Sequence, residues 1–218
     1  MIPFTSITGP AVPILEDDLN TDQIAPIQMS RELKPDYADL LFKRRRIHPD
    51  GSRVADHILN QERFRRPAIL LGGRNFGCGS SREAAVWCLA AVGIRCIIAR
   101  SIADIFRENC LQNGVLPVEL DGATADELEK RVLAADGRTP FTADLPSQTI
   151  IGPGTGPGGS AIAFDIAASD KMRLLEGLDD IGVTLKHLAE IEAWEARTAR
   201  SLPWRQSAID RRKPAADR

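Results

Sequence analysis

The sequence predicts an α/β fold, and three observations carry that reading. Compact apolar runs of strand length recur through the middle of the chain, at 68–72, 94–99 and 115–119. The segments between them open on Ser80 and Ser101 and close on Gly93 and Asn113-Gly114, residue types that start and stop helices. Their order is therefore strand–helix–strand–helix–strand, the grammar of a layered α/β domain.

The elements follow in order. Ala11 to Leu15 reads as a strand running into a polar turn, Glu16 to Asp22, dense in capping residues. Pro26 keeps any helix over 23–29 short. Tyr37 to Phe42 and Val54 to Phe64 read as helices, and the basic run Lys43 to Arg46 as an exposed face. Ser80 opens an Ala-rich helix to about Val92, with Ser80-x-x-Glu83 matching a capping box; Thr124-x-x-Glu127 matches another, opening a helix to Ala135. Gln148 to Ile151 and Ala161 to Asp165 flank a Gly/Pro-rich connector, which suits a hairpin with a long loop. Ala167 to Gly177 and Val183 to Thr198 read as helices. Residues 199–218 hold six Lys/Arg against two Asp and few apolar groups, and are expected to form a disordered tail behind a domain over 1–198.

Composition narrows the function classes. The chain has 218 residues, 43% hydrophobic and 27% charged, enough for a core in one large domain. A net charge of -2 offers no nucleic-acid surface. No run approaches the roughly 18 apolar residues of a membrane span, and the start lacks a secretion-signal pattern, so a cytoplasmic protein is expected. The four cysteines, Cys78, Cys88, Cys96 and Cys110, are spaced by 10, 8 and 14, which matches no zinc or iron–sulfur pattern. No metal ligand set is expected in this chain.

The chemistry lies in Gly72-Gly-Arg-Asn-Phe-Gly-Cys-Gly-Ser-Ser-Arg-Glu83. Glycines let a ligand approach the backbone, and the first amides of a following helix are unpaired and positive. Arg82 offers a planar fork to a carboxylate. A hydroxyl, a guanidinium and free amides suit a small di- or tricarboxylate. The phosphate-loop, dinucleotide and hydrolase-elbow patterns all fail here. A bare tight turn remains the other reading of the loop.

At this loop the sequence resembles the isopropylmalate dehydratase small-subunit family, in its long bacterial form, which is similar to the swivelling domain of aconitase. The matching blocks are Asp18 to Ile24, Asn75 to Glu83, Ile98 to Phe106 with Asn109 to Pro117, and Gly177 to His187. The resemblance implies a swivelling β/β/α domain with a C-terminal helical extension. It implies a larger partner that bears a [4Fe-4S] cluster, in a heterodimer or heterotetramer, and a dicarboxylate substrate. Water is removed and added back at the neighbouring carbon, interconverting 2- and 3-isopropylmalate in leucine biosynthesis. Carried over by motif, Ser80 is the base that takes the proton α to a carboxylate, and Arg82 acts with it. Gly79 and Ser81 bind substrate, while Asn20 and Asp22 shape the pocket rim or serve only as turn formers.

Two departures matter. Ala84 stands where the family usually has His, and residues 28–46 lack its Arg-Thr-Gly-Phe-Gly-like run. Arg31 is the candidate there for a second carboxylate contact, against the alternative of a solvated arginine. The altered loop leaves open a related acid (citramalate, dimethylmalate or homoaconitate) and a non-catalytic anion-binding module.

Overall fold

A computed structural model describes residues 1–26, 35–154, 161–199, 201–202 and 204. It divides into two units, Met1–Asp179 and Asp180–Arg218. Arg31 and most of the expected tail, 199–218, lie outside the described residues.

The first unit is built on a parallel sheet. Strands β2 (Ala11–Ile14), β3 (Ile69–Gly72), β4 (Cys96–Ala99) and β5 (Leu116–Glu119) lie side by side in chain order. Their registers pair Ala11 with Ile69, Ile69 with Cys96, and Cys96 with Leu116. The β3 and β4 sequences are apolar at every position because both faces of the sheet are covered. Successive side chains alternate between those faces. Leu70 and Ile97 join one core with helices α4 (Ala84–Ala91) and α5 (Asp104–Gln112). Ile69, Leu71, Cys96 and Ile98 join a second core on the opposite face.

That second core is closed by α6 (Gly122–Ala135) and by an antiparallel sheet. Helix α6 presents Ala125, Leu128, Val132 and Ala135 at helical spacing. The antiparallel sheet runs β1-β6-β7-β8, from Ser6–Gly9, Phe141–Asp144, Thr149–Ile151 and Ile162–Ala163. Sheet, sheet and helix layer give the β/β/α arrangement that the resemblance implies. The hairpin expected around the Gly/Pro-rich connector is present as β7 and β8, though residues 155–160 lie outside the described residues. Strands β1 and β6 have no counterpart among the expected elements. Helix α7 (Ala168–Glu176) ends on Gly177 in the left-handed conformation.

Several boundaries differ from expectation. The helix expected from Tyr37 is α2 (Tyr37–Leu40), shorter by two residues. Val54 to Phe64 is not a helix; it folds as two 3-10 turns, Ile58–Asn60 and Glu62–Phe64. His57 caps the first through its ring nitrogen, which interrupts helical pairing there. Helix α6 starts at Gly122 because Asp121 accepts the Thr124 amide at 2.8 Å, so the Thr124 capping box does not form. The basic run is helix α3 (Lys43–Arg46), and it is not uniformly exposed. Lys43 and Arg45 pair with Asp39 and Glu16, while Arg46 is only 7% exposed and donates to the Ala38 carbonyl. Among its described residues the second unit has helices α8 (Asp180–Leu185) and α9 (Leu188–Thr198), where one long helix over 183–198 was expected.

The two cores fix two expectations. Phe106 is fully buried and meets Phe76 edge to face at 5.6 Å, so Phe106→Ala should lower stability by roughly 3–5 kcal/mol in a urea titration. Burial pushes the Cys88 thiol up from 9.0 to about 12, and raises Cys96 and Cys110 as well. The folded state favours the neutral thiols, so this stabilisation is complete below the unfolded pKa and is lost as pH climbs through the folded values. Stability should therefore fall across about pH 9 to 12, with a shallower slope in Cys88→Ala.

Candidate active site

The site forms where the loops leaving the C-terminal ends of β2, β3 and β4 converge, the usual ligand position in an open parallel sheet. Three backbone hydrogen bonds join the first two loops. The Asp18 amide donates to the Arg74 carbonyl at 2.9 Å, the Gly77 amide to Leu19 at 2.8 Å, and the Thr21 amide to Cys78 at 2.9 Å. The third loop clamps the other side. The Phe76 amide donates to the Ser101 carbonyl at 3.0 Å, the Ala103 amide to the Phe76 carbonyl at 3.0 Å, and the Asn75 amide to Ser101 Oγ at 2.8 Å.

Two glycines are required by this geometry. Gly77 has φ +76°, and a Cβ there would fall on the Phe106 ring. Gly79 has φ +99°, and a Cβ would sit 3.3 Å from Asn20 Cβ. Both positions favour glycine on conformation alone.

Ser80 is half-buried and lies against Thr21. Its Oγ is 2.9 Å from Thr21 Oγ1, and its amide donates to the same Thr21 oxygen at 3.2 Å. Thr21 is 1% exposed, so this hydroxyl is held away from bulk water. Because Thr21 Oγ1 accepts from the Ser80 amide, its own proton can point at Ser80 Oγ. Ser81 and Gly79 are exposed. The Ser81 carbonyl accepts from Asn109 Nδ2 at 3.4 Å. Arg82 forms an ion pair with Asp22. The Asp22 and Arg82 side chains are 45% and 32% exposed, so the pair is solvent-screened and adds little stability. Arg82 is thus anchored without being locked away from a second carboxylate.

The structure corrects the helix start. Helix α4 begins at Ala84, with Glu83 at its cap and no side-chain capping bond. Ser80 to Arg82 lie outside any helix or strand, so the Ser80-x-x-Glu83 capping box does not form. Glu83 instead accepts from Asn113 Nδ2 at 2.7 Å, and Asn113 Oδ1 accepts from Trp87 Nε1 at 3.0 Å. The capping box is at α1 (Thr21–Ile24), where the Asn20 side chain takes the Gln23 amide and Gln23 Oε1 takes the Asn20 amide, each at 2.9 Å. Asn20 therefore builds the helix turn that presents Thr21 and Asp22.

The structure brings together Ser80, Ser81, Arg82, Gly79, Asn20 and Asp22. Thr21 is absent from the expected site although it stands between the two rim residues, because a lone Thr in a polar turn reads as a capping group. Asn113 reads in sequence as a helix stop and Asn109 only as part of a matching block; their contacts cross from α5 to the loop and leave no local signal. Cys78, also in the loop, places Sγ 3.4 Å from the Asp18 carbonyl. Among the described residues no group of three or more His, Cys, Asp or Glu is placed to hold a metal ion.

Comparisons with known proteins agree with this architecture. Residues 1–123 match the family model described as the aconitase C-terminal domain. Residues 180–208 match the model for the C-terminal domain of the 3-isopropylmalate dehydratase small subunit. The 3-isopropylmalate dehydratase small subunit of Rhodospirillum rubrum is 44% identical over 202 residues, covering 92% of this chain and 95% of the relative. That of Gluconacetobacter diazotrophicus is 42% identical over 208 residues, covering 94% and 98%. A crystal structure described as 3-isopropylmalate dehydratase (leuD) from Methanocaldococcus jannaschii shares the fold, with TM-score 0.61 and 24% identity over 86% of this chain and 99% of that one.

Two substitutions test the loop. Gly77→Ala forces a side chain into a left-handed position against Phe106, and should cost roughly 2–4 kcal/mol in chemical denaturation. Thr21→Val keeps the shape but leaves the Ser80 amide without its acceptor, and should cost about 1–3 kcal/mol in the same assay.

Proposed function

The chain belongs to the 3-isopropylmalate dehydratase small-subunit family, and on that premise we propose that it is the cluster-free subunit of that hydro-lyase, acting in leucine biosynthesis in the cytoplasm. Its partner is the large subunit, which bears the [4Fe-4S] cluster and supplies a Lewis acid for the departing hydroxyl. The observation that carries the residue roles is the Ser80–Thr21 hydroxyl pair beside Arg82, at the open end of the parallel sheet.

Ser80 Oγ takes the proton from the carbon α to a substrate carboxylate, and returns it on rehydration at the neighbouring carbon. A serine alkoxide is far too basic to exist free in water, so it needs donors fixed in place before reaction. Thr21 is one such donor: its oxygen accepts from Ser80 N–H, and its proton can be given to the Ser80 alkoxide 2.9 Å away. Arg82 and the Ser81 amide receive the substrate carboxylate, and Asp22 holds the guanidinium fork ready. Exposed Gly79 and Ser81 let substrate reach the loop backbone. Arg31 remains a proposed second carboxylate contact.

Reconstituted with the large subunit, Ser80→Ala should abolish hydration of the unsaturated intermediate while still binding the partner; full activity would refute Ser80 as the base. Thr21→Val should lower kcat on the order of 10²-fold with KM little changed, since its donor acts on charge formed in the transition state. Arg82→Lys should raise KM as well as lower kcat, because a point charge replaces a bidentate fork.

A further inference from the structure

Helix α5 is a fixed platform beside the Ser80 loop. Its Phe106, Cys110 and Leu111 are fully buried. Its Arg107 and Glu108 pair with Asp170 and Arg173 of α7 at 3.0 and 3.2 Å. Asn113 stands at its C-terminal cap. The Trp87 indole N–H can only donate, so Asn113 Oδ1 faces it, at 3.0 Å, and Nδ2 faces the other way. There Nδ2 donates to Glu83 Oε1 at 2.7 Å and to the Asn109 carbonyl at 2.8 Å. One turn earlier, Asn109 Nδ2 donates to the Ser81 carbonyl at 3.4 Å. The two asparagines are spaced to share one face of α5. Their targets outside α5, Ser81 and Glu83, are the residues immediately before and after Arg82.

Arg82 itself lies outside any helix or strand, so no regular backbone pairing sets the direction in which its side chain leaves. A guanidinium meets a carboxylate with two parallel bonds only from the right direction. Asp22 holds the tip of the side chain, but that pair is solvent-screened and does not fix its base. We propose that Asn113, with Asn109, positions Arg82 for the substrate carboxylate by holding the residues on both sides of it. This rests on the carboxylate role proposed above for Arg82. Both asparagines act through Arg82 and not on the substrate. Ser80 has separate support from Thr21, across the loops that follow β2 and β3, so α5 sets the clamp and not the base. The Glu83–Asn113 bond asks for an acceptor at Glu83 and not for its charge.

The test is steady-state kinetics with 3-isopropylmalate on the chain reconstituted with the large subunit, with the thermal midpoint of every variant measured alongside. Asn113→Leu should raise KM about ten-fold, with a smaller fall in kcat. Glu83→Leu should do the same, while Glu83→Gln, which keeps Oε1 as acceptor, should leave KM within about two-fold of the parent. In an Arg82→Lys background, Asn113→Leu should add less than about two-fold, because the fork it positions is gone. The inference is overturned if folded Asn113→Leu or Glu83→Leu leaves KM unchanged, or if Glu83→Gln raises it as much as Glu83→Leu. It is equally overturned if the Asn113→Leu and Arg82→Lys effects multiply in full, as a general loosening of the fold would make them do. If Asn113→Leu does not fold, the two Glu83 variants decide alone. An unchanged KM in Arg82→Lys refutes the carboxylate role and this inference with it. A raised KM there, beside an unchanged one in Asn113→Leu, refutes the positioning alone.

Discussion

The site depends on a three-bond backbone zip between the segment around Asp18 to Thr21 and the segment around Arg74 to Cys78. It extends the pairing of β2 with β3 beyond the ends of both strands, as the isolated bridge of Asn20 to Cys78 records. Only because the zip holds does a threonine oxygen come within 2.9 Å of a serine oxygen 59 residues away. Its own condition is steric. The β3 loop must pass over the Phe106 ring, and the backbone does so at Gly77 with no side chain between. Packing beneath the loop and chemistry above it are thus one constraint.

The resulting surface has a rigid floor and an open roof. Thr21, Phe76 and Gly77 are buried, and α4 and α5 are tied to the loop through Asn113 and Asn109. Gly79 and Ser81 stand exposed directly above them. Donors that must be in position before charge develops belong on the floor, where they do not reorganise. On the roles proposed above, the groups that meet the substrate belong on the roof.

The parallel sheet is legible in sequence because β3, β4 and β5 are buried on both faces, so their apolar runs are unbroken and bounded by glycine. Strands β1 and β6 are not. They are half-covered, with patterns such as Phe-Thr-Ala-Asp that carry only two inward residues. The Ser80 capping box misleads for a physical reason. Its residues match the pattern, but Thr21 already claims the Ser80 amide and hydroxyl, and Asn113 claims the Glu83 carboxylate. Tertiary partners override a local preference worth about 1 kcal/mol. Ser80, Arg82 and Gly79 can be found in sequence because they are contiguous. Thr21 cannot, because its contact with Ser80 exists only across the zip.

The stretch from Ala25 to Ala68 leaves the zip at one end and returns to it at the other. Its two anchor points are fixed by α1 and β3, whatever lies between them. Between those anchors Leu40, Leu41, Phe42, Leu59 and Phe64 are buried in the core shared with α4 and α5. Rewriting that stretch therefore reaches the core beneath the loop as well as the surface beside it, and each large buried side chain removed costs roughly 2–5 kcal/mol. The insert is thus held to the seam by packing along its length as well as by its two ends, so a change in one is felt in the other.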